Sequence, residues 1–474
     1  MLAVSAITAT TIAVMQIYNT IERAVEPFAP AVDGKVSIYV CGPTVQSEPH
    51  LGHGRSAVSF DVLRRYLEWL GYDVVFVRNV TDVEDKIIAM AAKLGTSTDD
   101  VARDAFGAFS EAYDRLGNLR PTIEPKATEH IPGMIDLIEE LIATGHAYES
   151  DGDVYFSVRS FDGYGRLSRH SVDDLRAGDR VEVGDRKRDP LDFALWKAAK
   201  PGEPQWDSPW GRGRPGWHIE CSAMATQYLG PAFDIHAGGS DLIFPHHENE
   251  IAQSEAPHGG VFARYWMHNG MLNLSGEKMA KSTGHVVTLL DSLDRWDPIA
   301  VRLFYLRTHY RKPLDFSPEA LDDAQASLGR LRAFRRRAPE FVEVSPDAAT
   351  LDAFKTAMDN DLDVAGALAV VFDAVRNANA IIDASGDADP LVRAFDEMMD
   401  VLGLSGAVAV GDIDIGPIGE RLGVEATSID DLVALRDQAR QAREWAQADA
   451  IRDELASVGV VIEDTPDGAR WHRD

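Results

Sequence analysis

Lys35-Val36-Ser37-Ile38-Tyr39-Val40 leads into Cys41-Gly42-Pro43-Thr44, and residues 52–69 then carry apolar side chains at helical spacing. The first six residues alternate and are rich in β-formers, so they read as a strand, and the Gly-Pro pair reads as a turn. Val58, Val62, Leu63, Tyr66 and Leu67 recur with the period of a helix. Residues 73–78 form a second short apolar strand, and Thr81 or Asp82 is placed to cap the helix after it. Strand, helix, strand, helix predicts an α/β fold built on a Rossmann-type parallel sheet. Working outward, residues 125–205 break the alternation and read as a connective insertion. Strand-like 233–236 and helix-like 249–254 resume it, so the sheet domain falls into halves at 15–124 and 206–316. Helical patterns at 321–337, 352–358, 364–383 and 391–402 predict an α-helical bundle over 317–410. Residues 411–474 read as a linker and a small C-terminal domain. Around and within it, 403–426 is Gly-rich and irregular, 431–457 is one long helix stopped at Gly459, and 460–462 is a strand.

The 474-residue chain has 45% hydrophobic and 26% charged residues, the balance of a folded soluble protein. No run approaches the ~18 consecutive apolar residues of a membrane span. Residues 1–14 are small and apolar without a basic segment, and Met15 reads as a fresh start, so an extension without fixed structure is expected there. Two cysteines cannot build a disulfide framework, which points to a reducing cytoplasm; a single Cys41–Cys221 disulfide is the alternative. The net charge of −29 suits a soluble acidic surface, and only 11 residues are Lys. A nucleic-acid partner then needs a local basic patch. Arg330, Arg332, Arg335, Arg336 and Arg337 form either such a patch or a solvated helix face.

Each cysteine sits in a dense motif, Tyr39-Val40-Cys41-Gly42-Pro43-Thr44 and Gly216-Trp217-His218-Ile219-Glu220-Cys221. Downstream, His246 and Glu250 are spaced to share one helix face. Singly these residues are ordinary core or surface groups. Together, two thiols, an imidazole and a carboxylate match the donor preferences of zinc and disfavour magnesium or calcium. His50 and His53 fall where a strand turns into a helix, a place that attracts phosphate. Lys278 and Lys281 lie in a turn, where two ammonium groups can neutralise a triphosphate as pyrophosphate leaves. A surface loop is the plainer reading of the lysines taken alone.

His50-Leu51-Gly52-His53 and Lys278-Met279-Ala280-Lys281-Ser282, in this order, resemble the "HIGH" and "KMSKS" signatures of class I aminoacyl-tRNA synthetases. With the thiol motifs, and with 189–197 and 448–471, the likeness narrows to the cysteinyl-tRNA synthetase family and covers the chain from Met15 onward. The resemblance implies a split Rossmann catalytic domain, a helical bundle and a C-terminal anticodon-binding domain. It implies zinc on Cys41, Cys221, His246 and Glu250, and a cysteine pocket of Thr44, Trp217 and His236. ATP, with Mg2+, falls to His50, His53, Lys278 and Lys281, with Gly238, Gly239 and Asp241 near the ribose. The partners implied are ATP, L-cysteine and tRNA(Cys), with a monomeric, cytoplasmic enzyme and no membrane. Ala280 departs from the family's Ser, and Thr283-Gly284-His285 from its Leu-Gly-Asn. In the C-terminal module, Asp464 and Trp471 are candidate anticodon contacts, since unpaired bases are stacked on aromatics and read along their edges.

The reaction expected is attack of the cysteine carboxylate on the α-phosphate of ATP, followed by transfer of the cysteinyl group to a terminal ribose hydroxyl. A shape-based pocket separates close analogues poorly, at ~1–3 kcal/mol for a methylene. Zinc bound to the substrate sulfur offers discrimination against serine on the order of 10⁴, about 5.5 kcal/mol. Two other readings share parts of the pattern. A ligase joining cysteine to an amino sugar would share the zinc and ATP residues but lack the C-terminal module. A tRNA-binding relative without catalysis would not need the histidines and lysines, which are intact here.

Overall fold

Lys35–Val40 and Asp73–Arg78 pair in parallel, Lys35 opposite Asp73 and Val40 opposite Arg78. Each buries its last three residues as well as its second, so both faces of the sheet are covered, as a parallel sheet requires. Phe233–Gly239 pairs in parallel with the other edge of Lys35–Val40, and Ala263–Asn269 lies beyond it. Helix Leu51–Trp69 connects the first pair, and helix Glu248–Glu255 connects the second. The two connections lead away from each other, which makes the carboxyl ends of Lys35–Val40 and Phe233–Gly239 the topological switch point, where ligands of such sheets bind. The computed structural model describes residues 15–171, 186–274, 288–338, 344–405, 415–422, 424, 426, 429–457, 460–465 and 468–473.

The insertion is an antiparallel sheet of Ala147–Ser150, Asp153–Phe156, Phe193–Ala198 and Gly213–Pro215. It therefore reaches Pro215 rather than ending at 205. The last strand is a three-residue Gly-Arg-Pro edge with no β-pattern to read. The cap expected at Thr81 or Asp82 is instead Glu84, which opens helix Asp85–Leu94 by accepting the Lys86 N–H. Thr81 is buried and donates to Glu220 at 3.0 Å, while Asp82 accepts the Thr128 N–H at 2.9 Å. Both side chains are thus engaged in tertiary contacts.

Helices Pro318–Arg337, Ala348–Asp359, Val364–Asp383 and Asp389–Leu402 form the bundle. Val364–Asp383 is the one described helix whose length and hydropathy suffice for a membrane span. It turns Val364, Ala367, Leu368, Val371, Ala374 and Ala378 inward, so burial inside the protein accounts for that stripe. Residues 1–406 form one unit and 407–474 another. The second packs Ile418, Leu432, Ile451, Leu455 and Val460 into its own core. Helix Ile415–Leu422 occupies part of the expected irregular linker. The single long helix expected over 431–457 is two, Ile429–Ala442 and Trp445–Ser457. Arg443 takes a left-handed φ of 66°, and the Glu444 N–H bonds back to the Ala439 carbonyl at 2.8 Å. That is a Schellman ending in which arginine stands where glycine is usual, so the break carries no glycine signal. The final strand is the hairpin Val460–Thr465 and Gly468–Arg473.

Candidate active site

Cys41 follows the central strand Lys35–Val40, its N–H held by the Ala237 carbonyl at 3.0 Å. Cys221 lies inside helix Trp217–Leu229. His246 stands in the irregular turn Ile243–His247, and Glu250 in the first turn of Glu248–Glu255. These four present one ligand atom each, all within 4.8 Å of one another and buried. The sulfurs are 3.7 Å apart and unbonded, so the disulfide alternative is not realised. Cys41 Sγ lies 3.4 Å and His246 Nε2 3.1 Å from Glu250 Oε1. Burial pushes both thiols above the usual range and His246 well below it. A divalent ion would reverse that preference for neutral thiols, because thiolate ligands bind with loss of their protons. The donor set of two sulfurs, a nitrogen and an oxygen fits zinc.

His236, expected in the cysteine pocket, lies beside this cluster and is not among the residues lining the cavity next to Cys41. It is fully buried, donates through Nε2 to Glu250 Oε2 at 2.8 Å and stacks on Trp266 at 4.4 Å. Cys41, His236, His247 and Glu250 also meet the same spacing. His246 and His247 each spend Nδ1 on another histidine, His218 and His268, at 2.8 Å, but the second set offers one thiol instead of two and includes His236, whose Nε2 is engaged with Glu250. The first four are therefore the better-disposed set.

A cavity of about 350 Å³ opens beside Cys41 and is lined by Thr44, Trp217, His50, His53, Gly239 and Asp241 among others. Trp217 stacks on His246 at 4.2 Å, tying the pocket wall to the candidate metal ligands. Gly42 has no room for a side chain, since a Cβ would fall 1.6 Å from the Asn79 carbonyl oxygen. The Asn79 side chain accepts the Gly42 N–H at 2.8 Å and so sets the 41–44 turn. Gly238 does not line the cavity; a Cβ there would meet His247 at 3.0 Å.

His50 caps helix Leu51–Trp69, accepting the Gly52 N–H at Nδ1, and His53 Nδ1 accepts the His50 N–H, each at 3.1 Å. Each Nδ1 is therefore an acceptor, which leaves Nε2 as the protonated nitrogen of each neutral ring. Burial lowers both imidazoles, His53 to about 3. Two neutral N–H donors at a helix start thus border the cavity.

Asn79 and Lys86, whose ammonium lies 6.0 Å over the Trp217 ring, do not stand out from sequence. A polar residue just after the second strand and a lysine in a lysine-poor chain are the available signals. Lys278, Lys281, Ala280 and residues 283–285 lie outside the described residues. The backbones of Asp464 and Trp471 lie on the C-terminal hairpin, opposite Ala469 and Ile462.

Comparison with known proteins gives a concordant picture. Residues 27–326 match the tRNA synthetases class I (C) catalytic domain, 353–405 the DALR domain, and 426–471 the cysteinyl-tRNA ligase anticodon binding domain. The chain is 48% identical to a cysteine–tRNA ligase of Solidesulfovibrio magneticus, covering 96% of this chain and 99% of that one. It is 49% identical to the Streptomyces avermitilis cysteine–tRNA ligase over 96% and 98% of the two chains. Among solved structures it resembles Mycobacterium tuberculosis methionyl-tRNA synthetase in complex with methionyl-adenylate (TM-score 0.55, 17% identity, 82% of this chain and 94% of that one). It also resembles an Agrobacterium radiobacter LeuRS–tRNA complex (TM-score 0.58, 12% identity, 80% and 85%). These two likenesses concern the fold.

Proposed function

Because the chain belongs to the cysteine–tRNA ligase family and charges tRNA(Cys) with L-cysteine through a cysteinyl adenylate, we propose that Cys41, Cys221, His246 and Glu250 select the amino acid by holding a zinc ion. Zinc there would supply a soft acid that accepts a thiolate and holds an alcohol poorly, which is the difference between cysteine and serine. Glu250 divides its oxygens between His236 and the ligand cluster, so it is the least committed of the four donors. Thr44 and Trp217 line the space beside Cys41 and confine the substrate's backbone.

ATP, carried with Mg2+, lies along the same cavity. His50 and His53 donate Nε2 hydrogens to its phosphates, and Lys278 and Lys281 neutralise the departing pyrophosphate. Gly239 and Asp241 stand at the strand end where a ribose fits. No protein nucleophile is needed, because positioning and charge stabilisation carry adenylate formation. Asp464 and Trp471, whose backbones lie on the C-terminal hairpin, are the residues assigned to the anticodon, and Trp445, 57% exposed, is a further indole on which an unpaired base can stack.

The observation that carries this reading is the convergence of four donors from three separate stretches within 4.8 Å at the cavity. Cys221→Ser tests it: bound zinc, measured on the purified protein, is expected to vanish together with cysteine-dependent pyrophosphate exchange. Loss of zinc with preference for cysteine over serine intact would make the metal structural only.

A further inference from the structure

Part of the cavity wall is Asn269-Gly270-Met271-Leu272. This wall rests on one neighbouring stretch of backbone, residues 309–314. The Gly270 N–H donates to the Tyr310 carbonyl at 2.8 Å, and the Leu314 N–H donates to the Met271 carbonyl at 3.0 Å. A Cβ on Gly270 would lie 2.5 Å from the Lys312 carbonyl oxygen and 2.6 Å from that of Arg311. No side chain cushions this contact, so a shift of 309–312 moves the wall directly.

Two side chains grip that stretch from different parts of the fold. Arg55, two residues after His53 and 1% exposed, donates to the Met271 carbonyl at 2.8 Å, to Tyr310 at 3.3 Å and to Lys312. Its hydrogen bonds among the described residues all go to backbone carbonyls, and its Nε has no partner there. Burying a guanidinium against carbonyls alone is costly. From the bundle side, Asp361 accepts from the Tyr310 hydroxyl at 2.9 Å, from Arg311 Nε at 2.7 Å and from the Tyr18 N–H at 2.8 Å. Asp361 and Leu362 have φ of 54° and 53°, consecutive left-handed residues that persist only where the surroundings fix them.

We infer that Arg55 and Asp361 are positioning residues for the nucleotide: through 309–312 they hold the Asn269–Leu272 wall in place relative to the helix that starts at His50, and Asp361 ties that wall to the helical bundle. This rests on the assignment of His50 and His53 to ATP. The chemistry stays with the groups lining the cavity, while the two grips set where one wall stands.

Pyrophosphate exchange on full-length Arg55→Lys and Asp361→Asn, with ATP and cysteine varied separately, tests it. Lysine keeps the charge but cannot span the same carbonyls. Arg55→Lys is expected to raise KM for ATP about tenfold while KM for cysteine stays within about twofold. Asp361→Asn is expected to show the same split, and the double variant less than the product of the two, because both act on one segment. A folded Arg55→Lys protein with unchanged KM for ATP, or with both KM values raised alike, overturns the inference. If Arg55→Lys does not fold, Asp361→Asn decides alone, and a wild-type KM for ATP there is equally fatal. His50→Ala, run in parallel, reports on the underlying ATP assignment: exchange unaffected by that change would sink the assignment itself, whatever Arg55 does.

Discussion

His50 and His53 stack with ring centroids 3.7 Å apart, and both spend Nδ1 on capping their own helix. Their use as donors therefore depends on local backbone geometry as much as on the cavity. His53→Ala is expected to lower cysteine-dependent exchange by about 10²–10³, the scale of one lost transition-state donor. The neutral state also has a stability signature. Burial, with the His50 ring adding to it, holds folded His53 at about 3, whereas the unfolded residue titrates near 6.5. Across that window the unfolded chain binds more protons, so stability falls as pH drops through it and is regained above 6.5. Thermal unfolding against pH should show the slope, and His53→Gln should make it shallower. The histidine pair is visible in sequence as a spacing. Its tautomers are not, because they follow from which nitrogen meets a backbone N–H.

Helix Leu51–Trp69 is anchored at its middle as well as at its cap. Asp61 accepts the Leu119 N–H at 2.7 Å and Arg65 Nε at 2.8 Å, and pairs with fully buried Arg302. Arg302 also reaches the Leu402 carbonyl at 2.8 Å and Asn118 Oδ1 at 3.0 Å, joining this helix to the bundle helix Asp389–Leu402. Burial alone would raise the Asp61 carboxyl, but Arg302 and Arg65 outweigh it and the net direction is down. The pair's contribution is thus present at neutral pH and lost in acid. Asp61→Asn leaves Arg302 buried without its counter-charge and should cost about 3 kcal/mol in urea unfolding at neutral pH. Neither residue stands out in sequence, since a charge inside an amphipathic helix reads as a solvated one until its partner is known.

At the scale of the molecule, residues 1–406 and 407–474 form separate contact units, and the second matches an anticodon-binding domain. A protein ending at residue 406 should keep cysteine-dependent pyrophosphate exchange within about twofold and lose at least about tenfold in tRNA charging, since anticodon contacts supply binding rather than chemistry. The basic cluster on Pro318–Arg337 is largely spent within the fold. Arg332 pairs with Asp297, Arg335 with Asp396 at 2.8 Å, and Arg337 with Asp383. With a net charge of −29, tRNA must be held by local basic patches against an opposing background, and its binding should weaken steeply with salt.

The strand-helix rhythm of the sheet, the helical bundle and the residue types of the candidate site were legible in the order of amino acids, because periodicity and rare residues are local properties. Local pattern misleads at helix ends where the deciding fact is remote or unusual, as at Thr81, which bonds Glu220, and at Arg443, which stands where glycine is usual. That Cys41, Cys221, His246 and Glu250 meet is an expectation from the resemblance, and the distances at which they do are set by the folded chain. The place of His236 behind Glu250, and the turn of Arg55 toward the carbonyls of a distant loop, emerge only from that chain. Most of these contacts join segments far apart in the chain, and the order of strands about the switch point sets their distances.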